Sequence, residues 1–92
     1  MGKVTINLYG AIAKIAGEKT TTVEAKTLKE AINALTEKYG ESFKEKIYDN
    51  KGKLLRFLNI YVNGKDIRFL KNLETELSDR DAVSLIPAVG GG

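Results

Sequence analysis

The sequence predicts an α+β domain in which one β-sheet is covered on one face by one main helix. Three observations support this prediction: alternating apolar and polar residues in 3–9 and 82–87, an amphipathic segment that begins at Thr27, and an Asn-Gly pair that directly follows a strand-like run. The 92 residues are 42% hydrophobic, which suits one sheet with one or two helices. We therefore expect one domain over residues 1–86 and a flexible tail over residues 87–92.

The first part of the chain predicts two strands joined by a short apolar segment. Apolar side chains alternate with polar ones across residues 3–9, which is the period of a half-buried strand. Residues 10–17 are apolar and bounded by glycine, so they predict a helical turn or a connector. Residues 19–25 contain three Thr and one Val, and these β-branched residues favour a second strand paired with the first.

The main helix is predicted to begin after Thr27 and to stop at Gly40. Thr27 and Glu30 have the spacing of a capping box, in which each side chain bonds a free backbone N–H of the first turn. The apolar residues recur with helical spacing: Leu28, Ala31, Ile32, Leu35 and Tyr39. Residues 41–49 predict a further helical turn.

The second part of the chain predicts the remaining strands. Residues 57–67 are read as a strand interrupted by Asn63-Gly64, which is the strongest short hairpin signal. Residues 73–81 predict a polar connector, and residues 82–87 predict a last strand that ends at its proline. The predicted order is β-β-α-β-β-β.

Composition excludes several classes of function. The 15 Lys and Arg against 12 Asp and Glu give a net charge of +3, but the signs alternate along the chain, so we expect no nucleic-acid partner. Without cysteine or histidine, the chain lacks the usual nucleophile–base pairs and transition-metal ligands, and we predict no metal site. No apolar run approaches the roughly 18 residues that span a bilayer, so we expect no membrane partner. Without cysteine, nothing indicates an oxidising compartment, so we expect a cytoplasmic protein.

The remaining reactive group is the terminal carboxylate of Gly92. With a pKa of about 3.3–3.7, it is an anion at neutral pH that must be activated before its carbon accepts a nucleophile. Adenylation by a partner would make it an acyl electrophile, and a sulfur donor or a lysine amine would then displace AMP. Gly90 and Gly91 lack a Cβ and suit a narrow channel. From Pro87 onward, the six residues reach at most about 20 Å when extended.

Both ends of the chain resemble one family. The segments "LYGAIAKIAG" and "DAVSLIPAVGGG", with the predicted order of elements and the Asn-Gly hairpin, look like the MoaD/ThiS family of ubiquitin-like sulfur carriers, closest to the MoaD-type molybdopterin synthase small subunit. The family's Pro-x-Val-x-Gly-Gly tail is matched by Pro87, Val89, Gly91 and Gly92. Gly90 and Gly10 depart from the residues that are common in the family, which leaves the identity of the partner open.

The resemblance implies a ubiquitin-like β-grasp fold, a mixed sheet of four to five strands packed on one main helix. It also implies an E1-like enzyme that uses ATP to adenylate Gly92 and a sulfurtransferase that supplies sulfur to form a thiocarboxylate. The sulfur would pass to a molybdopterin precursor on the large, MoaE-type synthase subunit, in molybdenum cofactor biosynthesis. The chain itself would bind no cofactor and have no self-contained active site.

Other outputs stay open. The same family includes modifiers, archaeal ones among them, that are joined to lysines of target proteins, and sulfur carriers for thiamine synthesis or tRNA thiolation. A further alternative is a binding module with an inert tail. For a partner surface we predict the sheet face that points away from the helix, with its large side chains Tyr9, Phe57, Tyr61 and Ile86. Pro87, Val89, Gly90 and Gly91 would thread into the partner.

Overall fold

The computed structural model describes residues 2–87, which form one mixed five-stranded sheet with helices packed against it. The strands are β1 (Gly2–Leu8), β2 (Thr20–Ala25), β3 (Asn59–Val62), β4 (Lys65–Asp66) and β5 (Ala82–Ile86). The helices are α1 (Gly10–Ala16), α2 (Leu28–Tyr39) and α3 (Glu41–Lys44), and two 3₁₀ turns cover Ile67–Phe69 and Asn72–Glu74. The predicted α+β class is confirmed, with five strands at the upper end of the predicted number.

The sheet has the order β2-β1-β5-β3-β4. β1 and β5 pair in parallel, from Thr5 opposite Ala82 to Leu8 opposite Leu85, whereas the other neighbours pair antiparallel. Because β1 and β5 run side by side in one direction, both strands end at the same edge of the sheet, an edge formed by strand ends and not by an outer strand. Pro87, which follows β5, therefore lies beside the middle of this edge.

The core lies between the helices and one face of the sheet. Alternate strand residues are buried there, together with the apolar stripe of α2 and the inward residues of α1 and α3. The fully or almost fully buried members include Val4, Ile6, Ile12, Leu28, Ile32, Leu35, Phe43, Ile47, Ile60, Val83 and Leu85. The predicted inward faces of the helix and of the strands are thus confirmed.

The start of α2 has the predicted capping interactions. Thr27 Oγ1 accepts from the backbone N–H of Glu30 at 3.2 Å, and Glu30 Oε1 accepts from the backbone N–H of Lys26 at 2.9 Å. The glutamate therefore bonds one residue earlier than the usual capping box does. The helix ends at Tyr39, directly before Gly40, as predicted.

The predicted strand over residues 57–67 is too long. β3 begins only at Asn59, which pairs with Ile86, and Pro87 has no N–H with which to extend the ladder. Phe57 therefore lies in a turn before β3 instead of on the open sheet face, which corrects our placement of its side chain. The Asn63-Gly64 hairpin is confirmed, because both residues have positive φ and connect β3 to the short β4.

Residues 10–16 form the helix α1, and Gly17 follows it. Tyr9 is the N-cap of α1 and not the last residue of β1, so its predicted place in the strand is also corrected. Gly17 ends α1 in the left-handed conformation and donates its N–H to the carbonyl of Ala13. β1 and β2 pair as predicted, and the helical one of the two alternatives predicted for their connection is the one observed.

Candidate functional site

The candidate site is the point where the C-terminal segment leaves the sheet. β5 lies between β1 and β3, and it continues into Pro87, which is half-buried. The predicted tail residues Val89, Gly90, Gly91 and Gly92 lie outside the described residues, so their threading role stays a prediction.

Gly10 lies directly beside Pro87. The parallel register pairs Leu8 with Leu85, and the same offset two residues later brings Gly10 next to Pro87. A Cβ on Gly10 would lie 3.0 Å from Pro87 Cγ and 3.6 Å from Pro87 Cδ. Gly10 also has a φ of +55°, a conformation that favours glycine. Gly10, the first residue of α1, therefore borders the point where the C-terminal segment leaves the sheet.

Two of the predicted partner residues lie at this same edge. Ile86 is half-buried and pairs with Asn59, and Tyr9 is 47% exposed at the start of α1. Tyr61 lies farther along β3, opposite Ser84. The structure thus brings Tyr9 and Ile86 to the exit of the chain, while Tyr61 lies nearer the middle of the open face.

The open sheet face is more polar than predicted. One continuous row crosses all five strands, in the order Thr20, Asn7, Ser84, Tyr61 and Asp66. Phe57 is 68% exposed but lies in the turn before β3, outside this row. Its role in partner binding stays a prediction, now from a position at the border of the face.

Two neighbouring residues were missed from sequence. The Arg68 guanidinium bonds the Asp66 carboxylate through Nε and Nη2, at distances of 2.6 to 3.2 Å, and Nη2 also donates to Asn59 Oδ1 at 3.3 Å. These bonds from Arg68 hold the pKa of the Asp66 carboxyl below its usual value. Phe69 is 86% exposed and lines a shallow depression with Tyr61. In the sequence, the adjacent Arg68 and Phe69 that follow the predicted hairpin could have indicated this part of the surface.

A larger groove begins at the same edge. It has a volume of about 1000 Å³ and lies between the end of β1, α1 and the start of β2, with Tyr9, Gly10 and Lys14 in its wall. Within residues 2–87, no cluster of three or more acidic side chains has the geometry to hold a metal ion. None of the helices described is long and apolar enough to cross a membrane.

Comparison with known proteins assigns the family. The ThiS family model matches residues 6–92, almost the whole chain. The sulfur carrier protein CysO of Mycobacterium tuberculosis is 41% identical over 78 residues, which cover 83% of each chain.

Solved structures agree with this match. Small archaeal modifier protein 1 of Methanosarcina acetivorans superposes with a TM-score of 0.87 at 32% identity, covering 100% of this chain and 98% of that one. A chain of the BexX/CysO complex of Amycolatopsis orientalis gives 0.82 at 32% identity, covering 97% and 99%. The predicted ubiquitin-like β-grasp fold is confirmed, and the chain belongs to the ThiS family.

Proposed function

We propose that this protein is a sulfur carrier that bears sulfur as a thiocarboxylate on Gly92. The observation that supports this proposal most strongly is the extent of the family match, which runs to residue 92 and so includes the terminal glycines. The CysO relative, a sulfur carrier by name, supports the same function. The structure also supports it, because β5 lies at the centre of the sheet and leads into the tail. The six residues from Pro87 onward span about 20 Å at most when extended.

The proposed chemistry has two steps, both on the Gly92 carboxylate. In the first, a carboxylate oxygen attacks the α-phosphorus of ATP, pyrophosphate leaves, and an acyl-adenylate forms. In the second, the sulfur of a hydrosulfide ion (HS⁻) attacks the carbonyl carbon, the C–O bond to AMP breaks and AMP leaves, and loss of the proton on sulfur to solvent gives the thiocarboxylate. Neither step needs a base from this chain, which contains no histidine or cysteine.

The proposed partners follow from these two steps. An E1-like adenylating enzyme would bind ATP and the tail, and a sulfurtransferase would deliver the sulfur. The CysO chain of Amycolatopsis orientalis was crystallised in a complex with BexX, which supports protein–protein docking as the mode of action in this family. On this chain we propose docking at the edge that carries Tyr9 and Ile86, because that edge surrounds the chain exit.

For the acceptor of the sulfur we propose a molybdopterin precursor on a MoaE-type subunit. The tail pattern Pro-x-Val-x-Gly-Gly supports this acceptor through its resemblance to the MoaD branch. The relative named CysO supports the carrier step without supporting this acceptor. Thiamine synthesis and tRNA thiolation remain alternative destinations of the same thiocarboxylate.

A second candidate function is protein modification. The observation that favours it is the small archaeal modifier protein of Methanosarcina acetivorans, which matches over the whole of this chain. In that function a lysine amine of a target protein attacks the adenylated Gly92, AMP leaves, and an isopeptide bond forms. Both functions share the adenylation step and differ only in the nucleophile.

The first experiment tests that shared step. ATP–pyrophosphate exchange is measured with the E1-like enzyme of the same organism, using the native chain and a chain with one alanine added after Gly92. The added residue moves the carboxylate about 3.5 Å along the chain and places a Cβ in the channel. A misplacement of the reacting group by about 1 Å can already lower the rate about 100-fold. We expect exchange only with the native chain. Equal exchange with both chains would overturn the proposal and favour a binding module.

A competition measurement controls for misfolding of the extended chain. This chain should still inhibit exchange by the native chain, because its sheet surface is unchanged.

A second measurement identifies the nucleophile. The intact mass of the protein isolated from its own cells separates the carrier from the modifier. Replacement of one oxygen by sulfur supports the carrier, whereas a lysine-linked adduct supports the modifier.

A further inference from the structure

We infer that Gly10 is a positioning residue, which seats Pro87 and thereby sets where the C-terminal segment leaves the body of the protein. This inference rests on the proposed function, because it concerns how the tail is presented to the activating enzyme. It adds a residue of α1, far from the terminus in sequence, to the groups on which adenylation depends.

The contact follows from the parallel pairing of β1 with β5. Leu8 and Leu85 are the last pair in this register, so the segments that follow β1 and β5 leave the sheet side by side. The segment after β1 turns into α1 through Tyr9 and Gly10, while the segment after β5 continues to Pro87. The turn into α1 therefore stands directly beside the C-terminal exit.

The close approach depends on the absence of a side chain at residue 10. The Cβ position of Gly10 lies 3.0 Å from Pro87 Cγ, which is closer than an ordinary carbon–carbon contact of about 3.5–4.0 Å. A methyl group there would push the proline ring, or the start of α1, by a few tenths of an ångström. Because the proline ring is bonded to the backbone at both N and Cα, a displacement of the whole ring also displaces the backbone that follows.

This displacement matters because the tail is short. A partner that binds the sheet edge also has to hold the terminal carboxylate in its active site. The position of Pro87 then sets the distance that the tail must bridge. A misplacement of about 1 Å can cost about 100-fold in rate, so a few tenths of an ångström should cost about threefold to tenfold. The loss should fall on kcat, since Gly10→Ala replaces none of the side chains at the proposed docking edge.

α1 supplies a matched control at its other end. Gly17 also has positive φ, at +79°, but no described atom beyond its immediate neighbours lies within 4 Å of its Cβ position. Gly10→Ala and Gly17→Ala therefore introduce similar backbone strain, and only the first introduces the contact with Pro87. Pro87→Ala, alone and combined with Gly10→Ala, removes the ring that the new methyl group would meet.

The test measures kcat and KM for ATP–pyrophosphate exchange with the four variants and the native chain. We expect Gly10→Ala to lower kcat about threefold to tenfold with KM unchanged, and Gly17→Ala to remain within about twofold despite a similar loss in melting temperature. The double variant should match Pro87→Ala alone. A nuclear Overhauser effect between the Gly10 Hα and Pro87 Hγ protons should be present in the native chain.

The outcomes are distinct. Equal kcat values for Gly10→Ala and Gly17→Ala, additive effects in the double variant, or no Overhauser effect would overturn the positioning role and leave the carrier function standing. No exchange with the native chain would overturn the proposed function and this role with it.

Discussion

The side-chain amide of Asn63 donates to the carboxylate of Asp81 at 3.0 Å, and its oxygen accepts from the backbone N–H of Ala82 at 2.9 Å. The hairpin between β3 and β4 is thereby tied to the start of β5. The backbone repeats this connection, since Asn63 N–H donates to the Ala82 carbonyl at 2.8 Å. One residue therefore forms the turn and also anchors the strand that leads to the C-terminal exit.

Changing Asn63 should separate these two contributions. Asn63→Gly keeps the positive φ but loses both side-chain bonds, and we expect a loss of about 1–2 kcal/mol in the free energy of unfolding. Asn63→Asp should cost at least as much, because it places a second carboxylate beside Asp81. Urea denaturation measures both. A native midpoint for the aspartate variant would contradict the anchoring role.

Leu35 and Ile60 should be essential for stability. Leu35 on α2 is completely buried and Ile60 on β3 is 2% exposed, so truncating either to alanine leaves a cavity in the core. We expect a loss of about 2–5 kcal/mol for each variant, most of the stability of a small domain. Lys29→Ala, an exposed change on the same helix, serves as control and should remain within about 0.5 kcal/mol. Native denaturant midpoints for both core variants would refute this prediction.

Glu18 should make stability depend on acid pH. The Tyr39 hydroxyl donates to its carboxylate and the Lys38 ammonium lies 3.4 Å away, and together they lower the pKa of Glu18. A carboxyl whose pKa is lowered by folding stabilises the protein above its unfolded pKa, and this contribution is lost as the pH falls through the folded value. We therefore expect stability to decrease below about pH 4.

The variant Glu18→Gln isolates this contribution. Melting temperatures from neutral to acid pH should fall less steeply for Glu18→Gln than for the native chain. Glu37→Gln, an exposed change on α2, is the matched control and should follow the native curve. Parallel curves for all three proteins would show that Glu18 contributes nothing to the acid dependence.

The fold should not need the last three glycines. The buried core lies within residues 4–85, and glycines bury little apolar area. A chain that ends at Val89 should therefore melt within about 2 °C of the full chain. A chain that ends at Ser84 loses the buried Leu85 and should unfold, which shows that the assay detects damage to β5. A decrease near 10 °C for the first truncation would mean that the glycines stabilise the domain.

Most of the local structure was predictable from short-range chemistry. The cap at Thr27, the end of α2 before Gly40 and the Asn63-Gly64 turn each depend on a residue's own backbone preference or on a partner within one helical turn. The alternation in β1 and β5 likewise predicted which side chains are buried. The proposed reactive group at Gly92 was predictable too, because the tail pattern that carries the family resemblance is a contiguous motif.

By itself, then, the sequence determined the class of fold, the buried faces and the terminal group on which the proposed chemistry acts. Only the tertiary structure decided that β1 and β5 pair in parallel, that Gly10 meets Pro87, and that Phe57 lies before β3 and not within it. The physical reason is that strand pairing joins residues nearly eighty positions apart, and no local preference specifies that register. The length of β3 likewise depends on the proline that ends its partner strand, a constraint that exists only once the two strands are neighbours.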